Sequence, residues 1–224
     1  MLIYAHRGGA GEFPEGSLQA YLGAIKAGSD GFECDLRLTK DEQIICYHDP
    51  TTKRLSKLDL KIANTTLAQL KEQVDPLGFV ELLELAIANK KDLVIEFKHP
   101  VPTGSAVEKK VMELLHQEKQ VAQISVMSFS WLALENIRKI DPEQQTVALL
   151  HDKFSFAMRR FTSAHAIGPG INAFRKKPQL NQDPRKLFVW TVDSADDMRF
   201  CADNGVDVLI TNTPSYARSV LGYN

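Results

Sequence analysis

Two histidines, three carboxylates and two cations are spaced through the first 98 residues in a pattern suited to handling a phosphate ester. The stretch Leu2-Ile3-Tyr4-Ala5 reads as a buried strand and runs into His6-Arg7-Gly8-Gly9, placing an imidazole and a guanidinium at the strand's C-terminal edge. A second apolar run carries Glu33-Cys34-Asp35. Side chains alternate along a strand, so both carboxylates face one way and Cys34 the other. A third run, Leu93-Val94-Ile95-Glu96-Phe97-Lys98, adds an acid with Lys98 on the same face. The hairpin after the second strand ends in Tyr47-His48-Asp49, a further imidazole beside a loop.

Taken singly, His6 reads equally well as a core histidine, His48 as a capping or surface histidine, and Glu33 with Asp35 as a solvated pair. Together they need a common explanation. Burying like charges costs several kcal/mol per ion unless a cation, protonation or basic partners compensate. Oxygen-only donors such as Glu33, Asp35 and Glu96 suit one hard divalent cation, Mg²⁺ or Ca²⁺, better than zinc. With Arg7 and Lys98 to hold an anion and two imidazoles to exchange protons, the set fits phosphodiester hydrolysis. The glycines between Gly8 and Gly11 do not make a nucleotide loop: Pro14 stands where a dinucleotide fingerprint needs its third glycine, and no GxxxxGK occurs.

These residues must be positioned by alternating strands and helices. Strands are expected at 2–5, 31–38, 43–48, 92–97, 123–128, 146–150, 164–167, 187–192 and 206–210. Helices are expected at 17–27, 79–90, 105–119, 131–140, 153–161, 194–204 and 214–221. Thr39-Lys40-Asp41-Glu42 is too short for a crossover helix, so 43–48 is the return strand of an antiparallel hairpin. Setting that strand aside leaves about eight βα units, which fits an α/β (β/α)8 TIM barrel better than an open doubly wound sheet. Residues 49–78 read as a short inserted loop with a small helix near 67–73, and 168–186 as a barrel helix reduced towards a turn. The whole of 1–224 reads as a single barrel domain.

The 224 residues are 44% hydrophobic, ample for a core, and carry 27 Lys and Arg against 28 Asp and Glu. A formal net charge of −1 provides no global basic field, so nucleic acid is not an expected partner. No run approaches the roughly 18 apolar residues of a membrane span, so a cytoplasmic protein with no stable membrane anchor is the expectation. Cys34, Cys46 and Cys201 lack CxxC spacing and read as buried thiols.

Across nearly its whole length the chain resembles the glycerophosphodiester phosphodiesterases. The matching pieces are His6-Arg7-Gly8, Pro14-Glu15-Gly16-Ser17, Glu33-x-Asp35, Thr39-Lys40-Asp41, His48-Asp49, Ile95-Glu96-Phe97-Lys98, Ser128-Phe129, Trp190-Thr191-Val192-Asp193, and Gly205-Val206-Asp207 through to Thr211-Asn212-x-Pro214. The resemblance implies a (β/α)8 barrel that hydrolyses small-molecule glycerophosphodiesters, such as glycerophosphocholine or glycerophosphoethanolamine, to glycerol 3-phosphate and an alcohol. By the same resemblance Glu33, Asp35 and Glu96 bind the divalent ion, His6 and His48 are general acid and base, Arg7 and Lys98 hold the phosphate, and Trp190 lines the glycerol side. The attacking group is either water or the neighbouring glycerol hydroxyl. Two other readings stay open: hydrolysis of lysophospholipids, for which the inserted loop and the helix bearing Phe154, Phe156 and Phe161 could line an acyl groove, and a barrel that only binds a phosphorylated ligand. The sequence departs from the family at three places: Gly16-Ser17 replaces Asn-Thr, Asp193 replaces a commoner Asn, and Asn212 replaces a commoner Asp.

Overall fold

The computed structural model describes residues 1–117, 123–151 and 159–223. Its strands are β1 (Leu2–His6), β2 (Gly31–Leu38), β3 (Ile44–Cys46), β4 (Asp92–Phe97), β5 (Ile124–Ser128), β6 (Gln145–Leu150), β7 (Ala166–Pro169), β8 (Lys186–Val189) and β9 (Val208–Thr211). Eight of them run parallel, and the ring closes because β1 pairs with both β2 and β9. β3 lies outside the ring, antiparallel to β2 in the register Leu36↔Cys46 and Leu38↔Ile44.

The helices are α1 (Leu18–Lys26), α2 (Leu67–Lys71), α3 (Phe79–Ala88), α4 (Ala106–Gln117), α5 (Trp131–Ile140), α6 (Ile171–Lys176), α7 (Ala195–Asp203) and α8 (Pro214–Leu221). Local chemistry sets their ends. Ser17 accepts from the Ala20 N–H to start α1, so the serine of the departing Pro-Glu-Gly-Ser motif still caps. Thr66 and Gln69 form a reciprocal capping box on α2.

Alternation along the strands sorts side chains into two layers. Ile3, Ala5, Phe32, Cys34, Leu36, Leu93, Ile95 and Phe97 face outward into the layer beneath the helices. Tyr4, Val94, Met127, Val147, Leu149, Phe188, Val208 and Ile210 form a separate cluster that fills the barrel. The barrel is therefore plugged by apolar groups, with the inward-facing His6, Glu33, Asp35 and Glu96 above the plug at the strands' C-terminal ends and Ser125 and Lys186 below it at their N-terminal ends.

The nine expected strands are all present. The seventh is displaced to Ala166–Pro169 and the eighth ends early, at Lys186–Val189; beyond it Trp190 bridges to Gly170 and the Val192 N–H donates to the Ile210 carbonyl. Between β7 and β8 the helix is shortened to α6 and a 3₁₀ turn, Pro178–Gln182. The inserted stretch is closed by an antiparallel bridge, Thr51↔Lys61, followed by a 3₁₀ turn at Ile62–Asn64 and α2. Most of the helix expected at 153–161, with Phe154 and Phe156, lies outside the described residues, as does the end of the one expected at 105–119. Cys34, Cys46 and Cys201 are buried free thiols. Among the described residues no helix is long and apolar enough to cross a membrane.

The turn after β1 is closely packed against α1. Arg7, Gly8 and Gly9 have φ of 51°, 81° and 96°, a run of left-handed residues that only glycine tolerates freely. A Cβ on Gly8 would sit 2.8 Å from the Ala20 Cβ and 3.0 Å from backbone of α1. Gly8→Ala is expected to lower stability by about 1–3 kcal/mol. Urea denaturation would show a lower midpoint at unchanged slope.

Candidate active site

The register of three adjacent strands builds the site. His6 is level with Glu33 across β1 and β2, and Asp35 is level with Glu96 across β2 and β4. Because all four point inward at the C-terminal end, the acids of Glu33-x-Asp35 converge with Glu96. Ligand oxygens of the three lie within 4.8 Å of one another, and all three residues are buried.

Two cations answer this charge. Lys98 Nζ lies 2.7 Å from Asp35 Oδ1 and 2.6 Å from Glu96 Oε1, while Arg7 Nε lies 2.9 Å from Asp35 Oδ2. Asp35 thus sits between two positive groups. Burial pushes its carboxyl up, but Lys98 and Arg7 outweigh that and hold it at about 2. Glu33 and Glu96 are less well compensated. Burial, reinforced by the charge of Asp35, pushes each up to about 8. Glu33 Oε2 accepts from the Arg7 backbone N–H at 3.0 Å, yet its Oε1 is buried with no hydrogen-bond partner. An orphaned, buried carboxylate oxygen facing two more carboxylates is the donor set of a hard divalent cation, and the residues present fit such an ion.

Each histidine is held by its Nδ1. His6 Nδ1 lies 2.6 Å from Asn212 Oδ1, and its Nε2 faces Glu33 Oε2 at 3.8 Å, beyond hydrogen-bond reach. Burial and the nearby Arg7 push the His6 pKa down, which favours the neutral ring. His48 Nδ1 lies 2.7 Å from Asp49 Oδ1. Burial pushes His48 down as well, while Asp35 opposes the shift. The position of His48 depends on its backbone too, since Arg37 Nε and Nη2 donate to the His48 carbonyl at 2.9 and 2.6 Å.

Arg54, in the inserted loop, carries no motif and was not among the expected site residues. Its Nε donates to Asp49 Oδ2 at 2.6 Å, and its two terminal nitrogens donate to the Glu15 carboxylate at 2.7 and 2.6 Å. Glu15 also reaches Arg7 Nη1 at 3.4 Å. One guanidinium therefore joins the partner of His48 to the partner of Arg7. Glu15 and Asp49 could be suspected from the motifs they sit in, but Arg54 lies in no motif, and its partner Glu15 is 39 residues away.

Trp190 is half-buried on the same inward face. Its Nε1 donates to the Gly168 carbonyl at 2.8 Å, and its ring meets Phe129 edge to face at 5.5 Å. The other four histidines sort themselves by their contacts. His99 Nε2 is 2.5 Å from the buried Glu108, His116 pairs with Asp141 on the surface, His151 packs on Phe129, and His165 bonds to Thr146.

The model of the "Glycerophosphoryl diester phosphodiesterase family" matches residues 6–216. A Mycobacterium tuberculosis protein named "Probable glycerophosphodiester phosphodiesterase 1" is 33% identical over 98% of this chain and 92% of its own length. The "Glycerophosphodiester phosphodiesterase" of Caldanaerobacter subterraneus subsp. tengcongensis is 28% identical over 95% of this chain and 94% of its own. Among solved structures, an Oleispira antarctica phosphodiesterase in complex with the product sn-glycerol-3-phosphate superposes with a TM-score of 0.90. It is 19% identical and covers 99% of this chain and 97% of its own. A Thermotoga maritima glycerophosphodiester phosphodiesterase gives 0.83 at 23% identity, covering 98% of each chain.

The raised carboxyls of Glu33 and Glu96 have a measurable consequence. Their folded pKa values lie above the unfolded ones, so between about pH 5 and pH 8 the folded state binds more protons. Stability is therefore lost as pH rises through that window. In chelator, the Tm is expected to fall between about pH 5 and pH 8. Added Mg²⁺ or Ca²⁺ should remove most of the fall, because a bound cation replaces the protons. Calorimetric scans across pH, with and without cation, check this.

Proposed function

The chain belongs to the glycerophosphoryl diester phosphodiesterase family, and from that we propose a metal-dependent hydrolase that splits glycerophosphodiesters into glycerol 3-phosphate and an alcohol. Residues 1–224 would form one such domain, acting in the cytoplasm on small substrates such as glycerophosphocholine or glycerophosphoethanolamine. The observation that carries this reading is the convergence, at one barrel end, of a buried three-carboxylate cluster, two cations and two histidines whose Nδ1 atoms are already engaged.

Glu33, Asp35 and Glu96 would hold one Mg²⁺ or Ca²⁺, which when bound supplies charge neutralisation for the phosphate. Arg7 and Lys98 contact the same carboxylates and are placed to hold nonbridging phosphate oxygens as charge develops on them. The Nε2 atoms of His6 and His48 are left for proton transfer, one taking the proton of the attacking hydroxyl or water and the other protonating the leaving alcohol. Either attacking group makes the same demand on the two rings. Trp190, fixed by the Gly168 carbonyl, offers an apolar wall for the glycerol carbons. The product bound by the Oleispira antarctica relative supports glycerol 3-phosphate as the released half.

A second reading has its own support. A cavity of about 400 Å³ opens between the inserted loop and the segment after β4, lined by Leu36, Leu38, Pro50, Ile62, Val101 and Val107, with Arg37 and Lys61 among its polar residues. Arg37 also binds the His48 carbonyl, so this groove adjoins the site. An acyl chain lying there would make lysophospholipids substrates. Phe161 does not build such a groove; it is exposed and stacked on Trp131.

Glycerophosphocholine, glycerophosphoethanolamine and lysophosphatidylcholine should be assayed with Mg²⁺, with Ca²⁺ and with chelator. Cation-dependent release of glycerol 3-phosphate is expected, and its absence with both ions would overturn the first reading. His6→Ala and His48→Ala should each lower kcat by about 10²–10⁴-fold, and Glu96→Ala should abolish the response to cation. Arg54→Ala should lower kcat about tenfold through the loosened Asp49, with KM nearly unchanged. Steady-state kinetics separates the two effects.

A further inference from the structure

Asp193 lies in the loop after β8 and would touch no substrate in the site described above, yet it is among the most heavily engaged carboxylates at this end of the barrel. Its Oδ1 accepts from the Thr211 hydroxyl at 3.0 Å and from the Asn212 backbone N–H at 2.8 Å. Its Oδ2 accepts from the Asn212 side-chain Nδ2 at 2.7 Å. On the other side of the same amide, Asn212 Oδ1 lies 2.6 Å from His6 Nδ1.

Donor and acceptor chemistry leaves one arrangement of this chain. An ionised carboxylate can only accept, so the atom of Asn212 that meets Asp193 must be the NH₂. The atom that meets His6 must then be the carbonyl oxygen, which also can only accept. His6 must donate to it, and Nδ1 is the nitrogen that does so. A neutral imidazole carries one proton, so Nε2 is left with its lone pair towards the carboxylate cluster. Asp49 imposes the same protonation pattern on His48 directly, whereas at His6 the order reaches the ring through an amide.

We propose that Asp193 is a positioning residue: by fixing which way the Asn212 amide faces, it selects the His6 tautomer whose Nε2 is free to exchange a proton with substrate. The proposal rests on the reading of His6 as a proton-transfer group. Without Asp193 the amide is free to turn, its NH₂ can face Nδ1, and the ring then carries its proton on Nε2, where it cannot act as a base.

The test is ¹⁵N NMR of the imidazoles in the cation-loaded full-length protein, at a pH where His6 is neutral, with His6 assigned by comparison with His6→Gln. The wild type should show a protonated Nδ1 and an unprotonated Nε2. Asp193→Ala should mix the two tautomers and lower kcat about 10- to 100-fold, with KM changed less than about twofold. Asp193→Asn can still present an oxygen to Asn212 and should keep most of the activity. In the exchanged double variant Asp193→Asn/Asn212→Asp, the new carboxylate accepts from Nδ1 directly, so tautomer and rate should return towards wild type. Asp193→Asn and the double variant also serve if the alanine variant fails to fold. Nε2-protonated His6 in an active wild type would overturn the inference, as would Asp193→Ala with unchanged tautomer and kcat. An inactive wild type with the fixed tautomer would instead overturn the hydrolytic reading and leave the tautomer assignment standing.

Discussion

Everything at the active end of this barrel answers to one electrostatic constraint: three carboxylates share a small buried space above an apolar plug. Buried as they are, they are poorly screened, and their mutual repulsion is costly in a low-dielectric interior. The chain meets the constraint unevenly. Asp35 is flanked by Lys98 and Arg7 and stays ionised, whereas Glu33 and Glu96 are left with pKa values near 8. The fold can carry that imbalance because the rest of the sheet is conventionally packed, with Val94 and Met127 beneath the acids and Cys34 and Ile95 beneath the helices. The site is thus a charge deficit held in place by an otherwise complete core.

The same constraint explains why so many second partners crowd the rim. Arg7 is shared among the Glu33 and Asp35 acids and Glu15, and Glu15 is shared with Arg54. Arg54 in turn fixes Asp49, the partner of His48. These links cross from the β1 turn to the inserted loop, so the orientation of one histidine depends on a segment that supplies no residue to the cluster itself. The other histidine depends on the strands that flank β1 on its other side, through Asn212 after β9 and Asp193 after β8. Neither ring is positioned by its own strand alone.

The barrel and the cluster were legible in the sequence because both follow from period-two alternation. Glu33-x-Asp35 and Glu96-x-Lys98 announce a shared face, and the count of βα units announces closure. His6 was legible only as a residue at the C-terminal edge of its strand; the register of β1 against β2 is what brings it level with Glu33. Asp193 and Asn212 could be seen only as departures from a family pattern, with no hint that they touch, since hydrogen bonding between residues 19 apart in two loops leaves no periodic trace. Arg54 was invisible for the same reason. It lies in a stretch without strand or helix, and nothing in its neighbours distinguishes it from a solvated arginine. His99, which follows Lys98 and could have faced the site, turns instead to the buried Glu108, an outcome set by the packing of α4.

The bridge between Thr51 and Lys61 has a consequence for how this architecture can change size. It brings the two ends of the intervening segment side by side, so the entropy of closing that loop is already met by backbone pairing and grows only slowly with added length. Residues Lys57, Leu58 and Asp59, on the returning side of the segment, are exposed, while the contacts that matter to the histidine lie on its outgoing side, at Arg54. The returning side is therefore a splice point. New chain inserted there would emerge beside the catalytic mouth with the barrel register and the arginine clamp undisturbed, so a larger lid, or an entire recognition module, could be added without rebuilding the site beneath it.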